Sequence, residues 1–306
     1  MTLIGPSGEQ IEIALGDQRA VVVEVGAGLR AYSAAGRELL DGYRVDEMST
    51  SGRGQVLIPW PNRLQDGSYE FEGRRNQLAI NDPDEQVAIH GLVRWAAWTV
   101  REREPHRVVM EHVLHPQPGY PFSLGLSIEY RLSEEGLRVR TTAANLGPSA
   151  CPYGSGAHPY LTVGTTSVDH AILRAPGRTV LRPDERGIPI GAGPVDGTDY
   201  DFRRPRPIGN TKLDHAFTDL ERHDGLARVE LSAPAGGSGL ALWVDQSYGY
   251  LMLFTGDPLS DVDRRSLAVE PMTCPPNAFR TGVALIRMEP GRTVTSTWGI
   301  APSPGA

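Results

Sequence analysis

Apolar and polar residues alternate with a period of two over much of this chain. In residues 124–132 every even position is apolar, whereas every odd position is small or polar. Successive side chains of a β-strand point to opposite faces, so this alternation predicts a half-buried strand. Residues 137–141 and 227–231 follow the same rule, and the β-branched run at 293–298 also favours a strand.

Glycine and proline divide the chain into many short elements. There are 35 Gly and 25 Pro among 306 residues, and turns are predicted at 116–119, 234–237 and 289–291. No amphipathic helix of ten or more residues is recognisable. The pattern therefore favours an all-β protein, a large antiparallel β-sandwich, over a parallel sheet with helices. Residues 183–210 lack periodicity and are predicted to form a long loop, either functional or a surface ornament.

Charge and composition narrow the class of partner. The formal net charge is −7, the pI is near 5.6 and Lys and Arg form no run, so there is no electrostatic footprint for nucleic acid or an anionic membrane. No segment approaches the roughly 18 apolar residues of a membrane span, and the N-terminus lacks a signal-like region. We therefore expect a cytoplasmic monomer or homodimer that binds a small neutral molecule.

Spacing argues against several kinds of metal and cofactor site. Cys151 and Cys274 are too few for a disulfide framework, so we expect reduced thiols, with a disulfide between them left open. His112 and His115 are three apart on a predicted strand and face opposite sides, which does not suit a metal. Residues 26–31 imitate a dinucleotide fingerprint, but no adequate helix follows, and a hairpin turn is preferred. We expect neither a metal nor a cofactor.

One carboxylate stands out because of its neighbours. Glu270 follows Leu-Ala-Val on a predicted buried strand, and prolines are expected to end that strand. Burial disfavours the charged form of a carboxylate and raises its pKa toward neutrality, where it can take and return protons. Glu270 is therefore the first candidate for a general base.

Other polar residues stand in short motifs that follow one another in a fixed order. The motifs are Asn62-Arg63 with Gly67-Ser-Tyr69-Glu-Phe71-Glu-Gly73, His90-Gly91, His158-Pro159-Tyr160, Asp214-His-Ala-Phe217, and Glu270-Pro with the later Pro276-Asn277-Ala278. Together they resemble the aldose 1-epimerase (galactose mutarotase) family, over roughly residues 20–300. The resemblance implies one galactose mutarotase-like β-supersandwich domain over residues 1–306. It also implies interconversion of the α and β anomers of a hexose without metal or nucleotide.

The resemblance implies a role for each residue. Glu270 would take the proton of the C1 hydroxyl, and His158 would protonate the ring oxygen. The residues implied to hold sugar hydroxyls are Asn62, Arg63, His90 and Asp214. Tyr160, together with Trp60, Trp95 and Tyr69, could supply an aromatic face. Taken singly, each has an ordinary structural alternative, such as a salt bridge of Arg63 or an Asx turn at Asp214.

Two positions depart from the galactose mutarotase pattern and leave the substrate open. Leu92 stands where the pattern has a second Gly after His-Gly, and Met252 stands where it has a Gln. A Met cannot replace the hydrogen bonds of a Gln, so galactose itself is in doubt.

Two alternatives to a neutral-sugar epimerase follow. The nearer one is an epimerase for a phosphorylated or sulfonated hexose, which would need a cationic cluster at the site. The candidates for that cluster are Arg53, Arg94, Arg264 and Arg265. The other is a non-catalytic carbohydrate-binding β-sandwich, although binding alone does not require both Glu270 and His158.

Overall fold

The computed structural model describes residues 5–303 except 235, 258, 261 and 262, and it confirms an all-β protein. The strands are β1 (Gln10–Leu15), β2 (Gln18–Val23), β3 (Leu29–Ala34), β4 (Arg37–Glu38), β5 (Val56–Leu57), β6 (Arg63–Gln65), β7 (Ser68–Phe71), β8 (Arg74–Gln77), β9 (Val87–Ile89), β10 (Thr99–Glu104), β11 (Arg107–Leu114), β12 (Leu124–Ser133), β13 (Gly136–Asn145), β14 (Cys151–Tyr153), β15 (Gly156–Ala157), β16 (Tyr160–Leu161), β17 (Ile172–Arg174), β18 (Gly177–Pro183), β19 (Pro189–Pro194), β20 (Arg206–Pro207), β21 (Asp214–Leu220), β22 (Ala227–Ser232), β23 (Gly239–Val244), β24 (Tyr250–Phe254), β25 (Leu267–Met272), β26 (Ile286–Met288) and β27 (Thr293–Ser303). The helices of the described residues are a 3-10 turn (Val168–His170) and α1 (Ala278–Thr281).

Two large antiparallel sheets dominate the topology. The nine-stranded sheet has the order β10-β11-β12-β13-β27-β23-β22-β17-β20. The eight-stranded sheet has the order β19-β18-β21-β24-β25-β15-β5, and β16 also pairs with β25. A four-stranded sheet (β1 to β4) and the pairs β14-β26, β6-β9 and β7-β8 complete the described topology. The predicted large antiparallel sandwich is thereby confirmed.

The alternation in the sequence matches burial along the long strands. Residues 124–132 lie in β12, and the other three predicted stretches lie in β13, β22 and β27. Ile128 and Tyr130 of β12 belong to one large apolar core, which also contains Leu253 and Val269 of the eight-stranded sheet. One face of each large sheet therefore packs against the other sheet and is buried, which explains the period of two.

The face of the eight-stranded sheet that points away from the apolar core carries Glu270. On β24 and β25, Leu253 and Val269 enter the core, so the alternate residues Met252, Phe254 and Glu270 point the opposite way. Met252 lies directly opposite Glu270 in the antiparallel register. The carboxylate is thus fixed by a central strand rather than by a loop.

An interruption beside β25 determines where His158 lies. β16 pairs with the first two residues of β25, and β15 pairs with its last residue. His158 and Pro159 cross the gap between them, and the Pro159 carbonyl accepts a hydrogen bond from the Val269 N–H (3.1 Å). Pro271 lies inside β25, although prolines were expected to end the strand. The strand continues because the nitrogen of Pro271 faces this gap, where no donor is needed.

Residues 183–210 are not the single long loop that was predicted. They contain β19, which pairs with β18 at the edge of the eight-stranded sheet, and β20, which pairs with β17. β19 has the sequence PIGAGP and is partly or fully exposed throughout, so it shows no alternation. An edge strand tolerates Gly and Pro because one side of it needs no ladder partner.

Most of the predicted turns are present. Residues 26–28 form the turn between β2 and β3, as preferred over a dinucleotide site, and Gly26 there has a φ of 73°. Turns also occur within 116–119 and 289–291. The predicted turn at 234–237 includes residue 235, which lies outside the described residues.

Cys151 and Cys274 are buried free thiols, so the disulfide that the sequence left open is not formed. Among the described residues, no helix has the length and apolar character needed to cross a membrane.

Candidate active site

A cleft of about 580 Å³ lies on the second face of the eight-stranded sheet. It brings together six residues predicted for the site: Asn62, Arg63, His90, His158, Asp214 and Glu270. The remaining lining residues are Ser51, Gly52, Asn81, Asp82, Pro83, Asp84, Glu85, Ile89, Arg94, Phe254, Asp257 and Leu259. Motifs that are far apart in sequence therefore converge on one cavity.

Glu270 lies on the floor of this cleft, where it is only 2% exposed. Its Oε2 has no hydrogen-bond partner among the described residues. Burial raises the pKa of Glu270 to about 8; the Asp214 carboxylate adds to the rise and Arg63 opposes it. The direction agrees with the expectation from the sequence, and it means that the carboxyl group carries a proton at neutral pH.

The ring of His158 is held in place by its neighbours. It stacks on Tyr160 with 5.1 Å between ring centroids and meets His90 edge to face at 5.2 Å. The backbone N–H of His158 donates to the carbonyl of Gln55 (3.0 Å), whereas Nδ1 of the ring is buried without a hydrogen-bond partner among the described residues. Gly52 leaves room for the ring, since a Cβ at that position would lie 2.6 Å from Cδ2 of His158. The imidazole is therefore fixed on three sides.

His158 and Glu270 form an acid–base pair, with 3.4 Å between Nε2 and Oε1. Burial lowers the pKa of His158 to about 3, and the charges of Arg94, Arg53 and Arg63 contribute to the decrease. The opposite shifts favour a neutral pair over an ion pair at neutral pH, with the proton on Glu270 rather than on His158. The sequence-based argument that a histidine donates protons near pH 7 does not apply to this buried ring. Because the two atoms are close, the proton can move to His158 and create the ion pair.

Asn62 and His90 interlock at neighbouring strand ends. Both adopt left-handed backbone conformations, with φ of 56° and 65°. The His90 N–H donates to the Asn62 carbonyl (3.0 Å), and the Asn62 N–H donates to His90 Nδ1 (3.2 Å). The second bond places the proton of neutral His90 on Nε2. Burial, with the nearby His158, lowers the pKa of His90 well below its usual value. His90 is consequently a neutral hydrogen-bond donor.

Arg63 and Asp214 pair across the cleft, with 3.3 Å between Nη2 and Oδ2. Arg63 begins β6, and Asp214 begins β21. The Arg63 carbonyl accepts a hydrogen bond from the Asn277 N–H (2.6 Å), and Asn277 Oδ1 accepts one from the Gln65 N–H (3.1 Å). Asn277, which belongs to the late motif but was not assigned a role, therefore connects β6 to the segment after β25.

Three of the aromatic residues expected around a sugar lie elsewhere. Trp60 and Tyr69 pack on Phe279, with ring centroids 5.5 and 5.0 Å apart, inside the apolar core. Trp95 is 47% exposed and lies beneath the guanidinium of Arg94. Nearness in sequence to a motif was the only signal for these residues, and it does not specify the direction of a side chain.

Tyr160 lies behind His158 rather than on the cleft lining. It is 1% exposed, and its hydroxyl donates to the Ser51 carbonyl (2.8 Å). Phe254, which sequence reasoning missed, is the aromatic residue among those that line the cleft. Its position at the end of the strand that pairs with β25 was the available signal. Residues 81–85, here called the cleft wall, resemble an ordinary acidic turn in sequence and gave no signal.

Ligand atoms of His90, His158 and Glu270 lie within 4.8 Å of one another, which raises the question of a metal. A metal needs a free lone pair from each ligand. In His90, however, Nδ1 accepts the Asn62 N–H, and Nε2 consequently carries the proton. This arrangement suits hydrogen bonding to a polar substrate and does not fit metal coordination by His90.

Comparisons with known proteins identify the family of this chain. A sequence model of the family described as aldose 1-epimerase matches residues 9–301. The chain is 38% identical to the uncharacterized protein YihR of Escherichia coli K12 over 287 residues, 94% of this chain and 91% of YihR. It is 27% identical to the maltose epimerase of Levilactobacillus brevis over 246 residues, 72% of this chain and 71% of that protein.

A solved structure has the same fold. The GalM/aldose epimerase homologue from C. elegans superimposes with a TM-score of 0.87 at 18% identity, over 97% of this chain and 99% of that chain. A galactose mutarotase-like β-sandwich is therefore the class that the fold defines. Within that class, the chain belongs to the aldose 1-epimerase family, a family of isomerases.

Proposed function

We propose that this protein is an aldose 1-epimerase that interconverts the α and β anomers of a hexose. The proposal rests on the 3.4 Å approach of His158 Nε2 to Glu270 Oε1 in a cleft of about 580 Å³. A site that only binds carbohydrate has no use for a buried pair that shares one proton. Asn62, Arg63 and Asp214 surround the pair and supply donors and acceptors for sugar hydroxyls.

The proton balance of the pair matches the reaction. Ring opening removes a proton from the C1 hydroxyl and delivers one to the ring oxygen; the aldehyde then rotates about C1–C2 and recloses. Both oxygens are bonded to C1, so two adjacent groups can reach them. After the shared proton moves to His158, ionised Glu270 accepts the hydroxyl proton and His158 protonates the ring oxygen. Reclosure returns both protons. Each positioned acid or base contributes about 10²–10⁴ in rate.

The test is the approach of fresh α-glucose and α-galactose to anomeric equilibrium, followed by polarimetry or proton NMR. We expect wild type to accelerate it and Glu270→Gln to lower the catalysed rate by about 10²–10⁴, because the amide cannot accept the proton. Glu230→Gln on β22, where Glu230 pairs with Arg174 (2.9 Å), is the control and should keep wild-type activity. Near-wild-type turnover by folded Glu270→Gln would eliminate the base assignment. Saturable sugar binding without acceleration would favour the carbohydrate-binding alternative.

One observation supports the second candidate, an epimerase for a hexose with an anionic substituent. Arg94 lines the cleft, stacks on Trp95 and donates to Gln55 Oε1 (3.4 Å). No described carboxylate lies within ion-pair distance of Arg94; burial lowers the pKa of its guanidinium, and the charge of Asp82 in the same cleft opposes this decrease. A half-buried guanidinium without an ion-pair partner among the described residues suits a phosphate or sulfonate oxygen.

The other cations considered for this role are already paired. Arg264 Nε and Nη1 lie 2.6 and 2.9 Å from Asp169 and Asp257, and Arg265 is paired with Asp41 (2.8 Å). Arg53 is buried, 3.9 Å from the same Asp41. Arg94 is therefore the residue whose substitution should affect an anionic substrate but not a neutral one.

Substitution of Arg94 distinguishes the two substrates. If the substrate is anionic, Arg94→Gln should lower kcat/KM for a hexose 6-phosphate or 6-sulfonate by about 10–100-fold, since a hydrogen bond to a charged group contributes about 1.5–3 kcal/mol. The kcat/KM for glucose should change little. Arg265→Gln is the matched control and should affect neither substrate. A wild-type preference for neutral sugars, unchanged in Arg94→Gln, would reject the anionic substrate.

A further inference from the structure

We infer that the turn between β18 and β19 positions the Arg63 guanidinium in the cleft, and that Gly187 is the residue through which it acts. This turn, residues 184–188, is called the hairpin tip. The kinetic test of this inference rests on the proposed function. It adds a positioning element that neither the sequence motifs nor the acid–base pair includes.

The hairpin tip is internally rigid. The Asp184 N–H donates to the Ile188 carbonyl (2.8 Å), and the Gly187 N–H donates to the Asp184 carbonyl (3.0 Å). Asp184 Oδ1 accepts from the N–H groups of Arg186 and Ile188, at 2.9 Å each. These four bonds give the tip a defined conformation before it contacts the rest of the protein.

Arg186 fastens the tip to the cleft wall. Its Nε donates to the Glu85 carbonyl (2.8 Å), and its Nη2 donates to the Gln86 carbonyl (2.7 Å). Nη2 also lies 2.9 Å from Asp66 Oδ1, in the turn that follows β6. The tip is thus attached both to the cleft wall and to the element that carries Arg63.

Gly187 lies directly against the Arg63 guanidinium. A Cβ on Gly187 would lie 2.7 Å from Nε, Cζ and Nη1 of Arg63, closer than real Cβ contacts allow. Nε of Arg63 is buried without a hydrogen-bond partner among the described residues. The Arg63 guanidinium is therefore held by the Gly187 backbone on one side and by Asp214 through Nη2 (3.3 Å).

The pair Gly187→Ala and Gly197→Ala isolates this contact. Both glycines have a φ of +72°, so an alanine is forced into a left-handed backbone conformation at either position. A Cβ on Gly197 has open space around it, whereas one on Gly187 must displace the end of the Arg63 side chain. We expect the two variants to lose similar thermal stability, and only Gly187→Ala to affect the site.

The kinetic test uses an aldose that wild type turns over. Gly187→Ala should lower kcat/KM by about tenfold or more, mainly through KM, because a guanidinium displaced by about 1 Å no longer meets the substrate. Gly197→Ala should keep the wild-type value. In an Arg63→Lys background, Gly187→Ala should add less than about a twofold loss, since the group that it displaces is absent. Equal losses in Gly187→Ala and Gly197→Ala, or a full tenfold loss in the Arg63→Lys background, would overturn the inference.

A second measurement does not depend on activity. The Nε–H resonance of Arg63, identified by its absence in Arg63→Lys, should shift in Gly187→Ala and stay in place in Gly197→Ala. An unshifted resonance in Gly187→Ala would overturn the inference whatever the enzyme does. If wild type turns over no aldose while the resonance shifts as expected, the proposed function fails and the positioning role stands.

Discussion

Burial shifts the protonation of Glu270 and His158 in opposite directions. The carboxyl group has a pKa of about 8 and the imidazole a pKa of about 3, so between these values a single proton belongs to the pair. Coupled groups of this kind titrate as one unit rather than as two independent residues. The residue types alone therefore do not identify which group is the acid at rest.

Met252 offers a way to test this protonation state. In wild type, kcat/KM should fall as the pH rises above about 8, because Glu270 then loses the only proton of the pair. Met252 lies opposite Glu270, whose Oε2 has no described partner, so the amide of Met252→Gln can donate to the ionised carboxylate. The pKa of Glu270 should fall. The basic limb of the pH profile of kcat/KM should therefore shift to lower pH by about 1 unit.

Met252→Leu is the control for that profile. Leucine keeps the apolar surroundings of Glu270 and supplies no donor, so the basic limb should stay near pH 8. Equal movement of the limb in both variants, or movement to higher pH in Met252→Gln, would contradict the protonation state described here.

At the scale of elements, interruptions and short connections position the site more than the long strands do. His158 stands where β25 lacks a strand partner on the side opposite β24, and Arg63 stands on a strand of three residues. Short strands have few ladder bonds of their own, so side-chain and backbone contacts from other segments must fix them. For β6 those contacts come from Asn277 and from the hairpin tip.

The Asn277→Ala substitution should raise KM more than it lowers kcat. The variant loses the half-buried bond from the Gln65 N–H to Oδ1, so we expect a stability loss of about 0.5–1.5 kcal/mol. Because β6 carries Arg63, KM should rise several-fold while kcat changes less. Urea unfolding and steady-state kinetics measure the two effects.

Asn277→Asp retains the acceptor oxygen and tolerance of the left-handed conformation, which has a φ of 67° at this position. The KM of Asn277→Asp should therefore be close to that of wild type. An Asn277→Asp variant as impaired as Asn277→Ala would show that Asn277 does not act through β6.

For the whole molecule, two sheets share a core and leave one sheet face for the site. The period of two predicted the strands at 124–132, 137–141, 227–231 and 293–298, because only one face of each is buried. The same rule failed for β19, whose exposed edge position removes the reason for alternation. That the chain forms a single domain stays a prediction, as do the monomeric or dimeric state and the cytoplasmic location.

By itself, the sequence determined the fold class, the order of the motifs and the candidate residues, since local periodicity and residue type are recorded along the chain. The tertiary structure decided which of these residues meet, because convergence depends on contacts between distant segments. It placed six of them on one cleft, moved Tyr160 behind His158, added Phe254 and Gly187, and separated Arg94 from the other candidate cations. It also decided the protonation of the pair, because desolvation is a property of the folded environment and not of the residue.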